Sequence, residues 1–97
     1  MTKTTNPWWS PWREVEGAII LHVDLIPDAE REARALSLLD DEEGTRWRRF
    51  LSERARRDFA LCRAALRVSL CERLCCENRA LSFGYGEHGK PFARVDG

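Results

Sequence analysis

The sequence has no net charge and no long run of apolar residues. Sixteen Lys and Arg side chains balance sixteen Asp and Glu side chains, so no whole-molecule field attracts nucleic acid or an anionic membrane. No stretch approaches the roughly 20 apolar residues of a membrane span, and the first residues lack the apolar segment of a signal peptide. These absences predict a cytoplasmic protein that binds neither membrane nor nucleic acid.

The chain is also poor in the side chains that build zinc sites. Its only histidines are His22 and His88. No C-x-x-C pair occurs among its four cysteines, Cys62, Cys71, Cys75 and Cys76. Tetrahedral zinc sites favour separated Cys/His pairs, so we predict no metal site. In a reducing compartment the cysteines are expected to be free thiols, and a disulfide between Cys71 and Cys75 would constrain almost nothing.

Charge is nevertheless segregated along the chain. Positions 13–45 hold ten acids and three arginines, a net charge of −7. Positions 46–67 hold eight arginines and two acids, a net charge of +6. This asymmetry indicates a site for an anion.

The N-terminal part of the chain predicts an arm followed by a strand. Residues 1–16 form a Pro/Trp-rich arm, in which Pro7 and Pro11 disfavour a helix or a central strand and favour an extended chain. Its tryptophans are expected to lie on the chain's own core rather than to stack on a ligand: Trp8, Trp9 and Trp12. Apolar and polar residues then alternate over positions 17–26, which predicts a strand ended by Pro27.

Capping residues predict two short helices. Asp28 is expected to cap the first, with Ala29, Ala33 and Leu36 facing inward. Asp40 and Glu43 have the spacing of a capping box at the start of the second. Capping explains these acids more economically than a magnesium site. The second helix is expected to carry three residues toward the core: Trp47, Phe50 and Leu51.

A long helix is predicted over positions 53–77, with Ser52 as its cap and Asn78 at its end. Apolar residues recur along it at helical spacing and predict its buried stripe: Ala55, Phe59, Cys62, Leu66, Leu70 and Leu74. Most of the remaining arginines of this helix are expected to be solvated or paired with acids such as Glu42, Glu43 and Glu53.

Two short strands complete the prediction. Positions 80–85 and 92–95 alternate in polarity and are separated by a glycine-rich loop, which predicts a hairpin. The expected fold class is therefore α+β, with a small antiparallel sheet packed on one long helix plus shorter helices. Residues 17–97 are expected to form one domain.

Four short motifs follow one another in a specific order and spacing. They are Trp47-Arg48-Arg49-Phe50, Cys62-Arg63-Ala64-Ala65-Leu66-Arg67, Leu81-Ser82-Phe83 and Tyr85-Gly86-Glu87-His88-Gly89-Lys90-Pro91. Together they resemble the N-terminal half of the phosphopantetheinyl transferases of the surfactin-synthetase type. The resemblance covers about positions 17–95.

The resemblance implies one lobe of a pseudo-dimeric transferase fold. Members of this family bind coenzyme A in the cleft between two lobes. With magnesium, they transfer its phosphopantetheine arm to a serine of an acyl or peptidyl carrier protein, in fatty acid, polyketide or nonribosomal peptide biosynthesis. The expected partners are therefore a carrier protein and a C-terminal lobe or partner chain.

The resemblance also implies which residues contact coenzyme A. Arg46 matches a basic phosphate-binding position, and Lys90, with Gly89 and Pro91, matches the loop beside the adenine and ribose phosphate. Arg57 is a further candidate near the nucleotide. Relatives often carry a second basic residue three positions before Arg46, where this sequence has Glu43.

Several motifs of the family are missing from these 97 residues. They are the serine-histidine phosphate motif, the acidic pair that binds magnesium and the W-x-x-K-E region. Phosphoryl transfer needs a metal clamp and a base, so the chain alone is predicted to be inactive and to hold no catalytic residue. The alternatives are a small arginine-rich module that binds nucleic acid or an acidic protein, and an inactive remnant. Overall neutrality argues against nucleic acid.

Overall fold

Three helices and two β-hairpins make up the described part of the protein. The computed structural model describes residues 8–16, 18–85, 87–89 and 91–96. Two 3₁₀ turns, Asn78–Ala80 and Glu87–Gly89, flank the third strand. The main elements are β1 (Trp9–Val15), β2 (Ala18–Val23), α1 (Ala29–Leu38), α2 (Asp41–Arg49), α3 (Glu53–Leu74), β3 (Leu81–Tyr85) and β4 (Pro91–Val95).

The predicted α+β class is confirmed, but the strands form two separate two-stranded sheets. β1 pairs with β2 and β3 pairs with β4, both antiparallel. Residues 9–15 of the N-terminal arm are thus extended, as predicted, and this strand pairs directly with the following one; residues 1–7 lie outside the described residues. The register shifts between Pro11 and Arg13, because proline has no N–H for the ladder and is accommodated at such irregularities.

The long helix α3 begins where predicted and ends three residues earlier. Ser52 Oγ accepts a hydrogen bond from Ala55 N at 3.0 Å, which confirms the cap. The helix ends at Leu74 because Cys75 adopts the left-handed conformation, with φ 52°. The expected cap at Asn78 is therefore wrong. Its side-chain amide instead donates to the Leu38 carbonyl oxygen at 2.8 Å, joining the ends of α1 and α3.

The predicted buried stripe of α3 is also wrong for three of its members. Cys62, Leu66 and Leu74 are exposed, with Leu74 49% exposed. The fully buried apolar residues on this helix are Ala60, Leu61, Ala64 and Ala65. Small alanine side chains let α1 and the β1–β2 hairpin approach α3 closely. The apolar pattern alone did not indicate that the smallest residues of this helix would be the buried ones.

Helix α1 is capped as predicted but buries a different face. Asp28 Oδ1 accepts from Arg31 N at 3.0 Å. Ala35 is completely buried, whereas Ala29 and Ala33 are exposed. The alanines of this short helix lie on opposite sides, so apolar character did not distinguish the inner face from the outer one.

Helix α2 carries both halves of the predicted capping box. Asp40 Oδ1 accepts from Glu43 N at 2.8 Å, and Glu43 Oε1 accepts from Asp40 N at 3.0 Å. Trp47 packs against the core as predicted. Leu51 is 97% exposed, contrary to prediction, because it lies in the bend between α2 and α3 rather than on either helix.

The strand predicted over positions 17–26 and the predicted C-terminal hairpin are both present, and the strand is shorter than expected. β2 ends at Val23 rather than just before Pro27. A turn follows Val23, in which Asp24 Oδ1 accepts a hydrogen bond from Ile26 N at 3.0 Å. The second hairpin is confirmed, with Tyr85 paired to Pro91. At Gly84 a Cβ atom would lie 2.7 Å from the Phe92 ring, so the ring requires glycine there.

The Trp8 side chain joins the N-terminal hairpin to the middle of α3. It is 2% exposed, and its Nε1–H donates to the Leu61 carbonyl oxygen at 2.9 Å. Trp9 packs edge-on against it, with ring centroids 4.8 Å apart. These two tryptophans lie on the chain's own core as predicted; the side chain of Trp12 lies outside the described residues.

Substitution of Trp8 should separate its packing from its hydrogen bond. Trp8→Phe keeps a ring but loses the N–H and should cost about 1 kcal/mol of unfolding free energy. Trp8→Ala also leaves a cavity and should cost about 3–5 kcal/mol. Urea unfolding measures both, with Leu51→Ala as the exposed control. Equal stability of Trp8→Ala and the parent protein would refute this role.

Candidate functional site

A shallow depression lies where α2, α3 and β3 meet. Its lining includes the acids Asp40, Glu42 and Glu43 and the ring of Phe83. Two cations and two rings also meet at this place: Arg46 from α2, Arg63 and the neighbouring Phe59 from α3, and Tyr85 from the end of β3. We call these four residues the Arg46 cluster. Two cations beside two rings are suited to an anion that carries a flat, apolar group.

Arg46 lies at the centre of this cluster. Its guanidinium carbon is 5.7 Å from the centroid of the Phe59 ring and 5.8 Å from that of Tyr85. Its Nη1 donates a hydrogen bond to the Tyr85 hydroxyl. Within the described residues no carboxylate lies at ion-pair distance from Arg46, so this exposed cation keeps its charge available.

Arg63 is held more tightly and shares its charge with a carboxylate. Its guanidinium lies 5.3 Å from the centroid of Phe59 and 5.0 Å from that of Phe83. Its Nη1 is 3.4 Å from Glu43 Oε2. Arg63 therefore contributes less free positive charge than Arg46.

The positions of α2 and β3 are fixed by the buried Arg67. Its side chain is 1% exposed, and its donors reach α2, the turn after α3 and the start of β3. Nε donates to Glu43 Oε1 at 2.5 Å and Nη2 to Asp40 Oδ2 at 2.7 Å. Nη1 donates to Asn78 Oδ1 and to the Leu81 carbonyl oxygen, both at 3.0 Å.

This network confirms the expected pairing of long-helix arginines with Glu43, and it corrects the expectation that most of the remaining arginines are solvated. Arg67 is fully buried, and the Arg63 side chain is 18% exposed. It also explains the acid three positions before Arg46: Glu43 is 4% exposed and pairs with both arginines. Its oxygens, with those of Asp40, serve the helix cap and these ion pairs.

No metal site accompanies the acids of α2 in the part of the chain that the structure describes. There, no group of three or more His, Cys, Asp or Glu side chains is arranged to hold a metal ion. The capping interpretation of Asp40 and Glu43 is confirmed by their hydrogen bonds to each other's backbone.

Tyr85 connects the Arg46 cluster to the glycine-rich loop. The hydrogen bond from Arg46, and then that from Arg63, lowers the pKa of the Tyr85 phenol below its usual value. Tyr85 pairs with Pro91 across the hairpin, and Gly89 has a positive φ of 74° in the connecting turn. Lys90 lies outside the described residues, but both ends of its loop start at this strand pair.

Arg57, the remaining candidate, lies in a different place. It lines a cavity of about 530 Å³ between α1 and α3, together with Leu36, Trp47 and Arg56. Its Nε has no hydrogen-bond partner among the described residues, and Asp58 Oδ1 lies 3.9 Å away. The structure therefore brings Arg46 to the glycine-rich loop and places Arg57 in a separate cavity.

Three members of the Arg46 cluster were not selected from the sequence as site residues. Phe59 and Arg63 are four apart, a spacing that puts them on one face of α3, and Tyr85 ends an alternating run. These residues form a site only because α2 packs beside them and brings Arg46 into contact with Phe59 and Tyr85.

Comparisons with family models, curated proteins and solved structures found no match for this chain. Across the described residues, no helix is both long and apolar enough to cross a bilayer.

Replacing Arg67 should destabilise the protein strongly. Arg67→Met leaves Glu43 charged and buried without its main partner, at a cost of about 3–5 kcal/mol in unfolding free energy. Adding Glu43→Leu should restore part of this loss, because the uncompensated charge is then removed. Denaturant unfolding provides the measurement, and Arg54→Met is the control on the same helix, since that side chain is 84% exposed. A loss no larger than the control's would contradict the structural role of Arg67.

The contact between Arg46 and Tyr85 can be measured directly, because Tyr85 is the only tyrosine. Arg46→Gln should raise the pKa of the phenol toward its usual value, since the first cause of the lowered pKa is removed. Tyrosinate absorption as a function of pH gives the midpoint. Arg48→Gln on the same helix should leave it unchanged, and a midpoint unaffected by Arg46→Gln would show that the contact is not populated.

Proposed function

We propose that this chain is the N-terminal lobe of a phosphopantetheinyl transferase and that the Arg46 cluster binds the nucleotide end of coenzyme A. The observation that carries the proposal is the hydrogen bond from Arg46 to Tyr85. It joins two motifs whose residues are 39 positions apart in the chain. The basic position before Arg48-Arg49-Phe50 therefore lies beside the loop that contains Lys90.

The chemistry of this cluster fits the adenosine bisphosphate part of coenzyme A. A guanidinium presents a planar pair of donors that matches phosphate oxygens, and Arg46 has no carboxylate partner among the described residues. The ring of Tyr85, which lines the depression, offers an apolar face on which a nucleobase stacks. Tyr85 is 50% exposed, so its ring is accessible to such a ligand.

The role of this lobe is to bind and orient rather than to perform the chemical step. In the proposed complete enzyme, magnesium neutralises charge on the phosphates as the phosphopantetheine arm moves to a carrier-protein serine. The ligands for that metal and the catalytic base would come from a second lobe or a partner chain. This chain contributes the phosphate contacts of Arg46 and Lys90, with Gly89 and Pro91 shaping the loop.

Exposed apolar residues on the elements that carry the site support a second lobe. Single exposed apolar residues are ordinary, but several on adjoining elements favour a contact surface. Helix α3 and the second hairpin together expose Leu66, Leu74, Phe92 and Val95, each between 37% and 49% exposed.

The alternative of an arginine-rich module for nucleic acid or an acidic protein finds less support. Arg63 and Arg67 are engaged with Glu43 and Asp40 inside the fold. The charge asymmetry seen in the sequence is thus partly neutralised by folding, which leaves a local anion site rather than an extended basic surface.

Binding of coenzyme A to the isolated chain tests the proposal. Calorimetry should detect coenzyme A, weaker binding of dephospho-coenzyme A and no binding of pantetheine, because the phosphates supply the contacts. Arg46→Ala and Lys90→Ala should each weaken binding about tenfold, or about 1.4 kcal/mol. Arg54→Ala is the control variant.

Equal binding of coenzyme A and pantetheine would overturn the proposal, and salt-sensitive DNA binding without coenzyme A binding would favour the alternative. The isolated chain with magnesium and apo carrier protein should show no transfer. Any turnover would refute the assignment of the catalytic groups to another lobe.

A further inference from the structure

The end of α3 brings two cysteines together through its backbone. The N–H of Cys76 donates to the Cys71 carbonyl oxygen at 3.1 Å, and Cys75 between them has φ 52°. The Cys75 N–H donates to the same carbonyl oxygen. A hydrogen bond between residues five apart, with a left-handed residue before its donor, is the longer of the two bonds of a Schellman motif. In this motif the side chains of the two bonded residues commonly contact one another.

Both contact positions of this motif are cysteines. The Cys76 thiol is near enough to raise the pKa of the Cys71 thiol, and both residues are half-buried, whereas Cys62 and Cys75 are exposed. Residues four apart on a helix have Cβ atoms about 5–6 Å apart, more than the roughly 3.8 Å of a disulfide. Cys76 is therefore better placed than Cys75 to form a disulfide with Cys71, although sequence spacing suggests Cys75.

We propose that Cys71 and Cys76 form a redox-active dithiol, which peroxide converts to an intramolecular disulfide. The inference is independent of the proposed function, because it rests on the helix end alone. The disulfide would close a short loop around Cys75 and fix the turn by which the chain leaves α3.

The oxidation proceeds in two balanced steps. One thiolate attacks an oxygen of hydrogen peroxide, the O–O bond breaks, and a sulfenic acid and hydroxide form. The second thiol then attacks the sulfenic sulfur, the S–S bond forms and water leaves. In total, two thiols lose two electrons and two protons, and one peroxide becomes two waters. A dithiol reductant reverses the reaction by exchange.

The surroundings make this pair slow to react. Burial, followed by the neighbouring Cys76 thiol, raises the pKa of Cys71. A helix C-terminus also disfavours negative charge. Since the thiolate is the reactive form, the pair should respond to sustained rather than brief exposure to peroxide.

The turn that the disulfide fixes leads directly into the Arg67 network. Asn78 follows Cys76 by two residues, and its side chain accepts from Arg67 and donates to the Leu38 carbonyl oxygen. The oxidised form should therefore reduce the opening of the α3 C-terminus, seen as slower amide hydrogen exchange at Cys75 and Cys76.

The test compares three double variants that each retain two cysteines. Cys62→Ser/Cys75→Ser keeps the proposed pair, Cys62→Ser/Cys76→Ser keeps Cys71 with Cys75, and Cys62→Ser/Cys71→Ser keeps Cys75 with Cys76. Each is exposed to hydrogen peroxide, and remaining thiols are alkylated before intact-mass analysis. The proposed pair should lose two hydrogens at least about tenfold faster than the other two, because it is pre-positioned.

Two further measurements keep the result interpretable if a variant is poorly folded. In urea the advantage of the proposed pair should disappear, since it depends on the folded helix end. In the parent protein, trypsin separates Cys71 from Cys75 and Cys76 at Arg73, so fragmentation of the linked peptides identifies the bonded cysteine. A Cys71–Cys75 link, equal rates in the three variants, or only sulfinic acid and intermolecular dimers would overturn the proposal.

Discussion

The buried guanidinium of Arg67 is the constraint on which the arrangement of this domain depends. A charge without partners in a protein interior costs several kcal/mol, so the fold must bring acceptors to it. These acceptors come from the cap of α2, from Asn78 and from the start of β3. A single side chain of α3 thus sets the positions of three other segments. Arg46 follows Glu43 by one helical turn, so the same contact directs it toward Tyr85.

The two side chains of the α2 capping box serve two purposes. Glu43 Oε1 accepts from the backbone of Asp40 and from Arg67 Nε, while Asp40 uses one oxygen for the cap and the other for Arg67. Local helix initiation and tertiary anchoring are therefore coupled. The helix dipole alone favours acids at the start of α2. Here Asp40 and Glu43 also balance the charge of the buried Arg67.

The parts of the structure that could be predicted are those encoded by neighbouring residues. Asp28, Asp40 with Glu43, and Ser52 start helices through contacts three residues away, so short-range spacing was sufficient. The inner faces were not predictable in this way, because Ala35, Ala60 and Ala64 are buried by their small size at a close helix contact. Arg67 was missed because its partner Glu43 is 24 residues distant, beyond any local pattern. Arg46 was selected by its motif, whereas its contact with Tyr85 needed the tertiary structure; Lys90 remains a prediction.

The bond between Trp8 and Leu61 spans 53 positions of the chain, and this separation has a consequence for synthesis. The β1–β2 hairpin leaves the ribosome before α3, so the helix carbonyl and alanine surface that receive the indole ring are made later than the ring. A two-stranded hairpin has little stability by itself in water. The hairpin therefore reaches its final position only after α3 has been made, and during that interval its apolar rings are available to chaperones or to neighbouring chains.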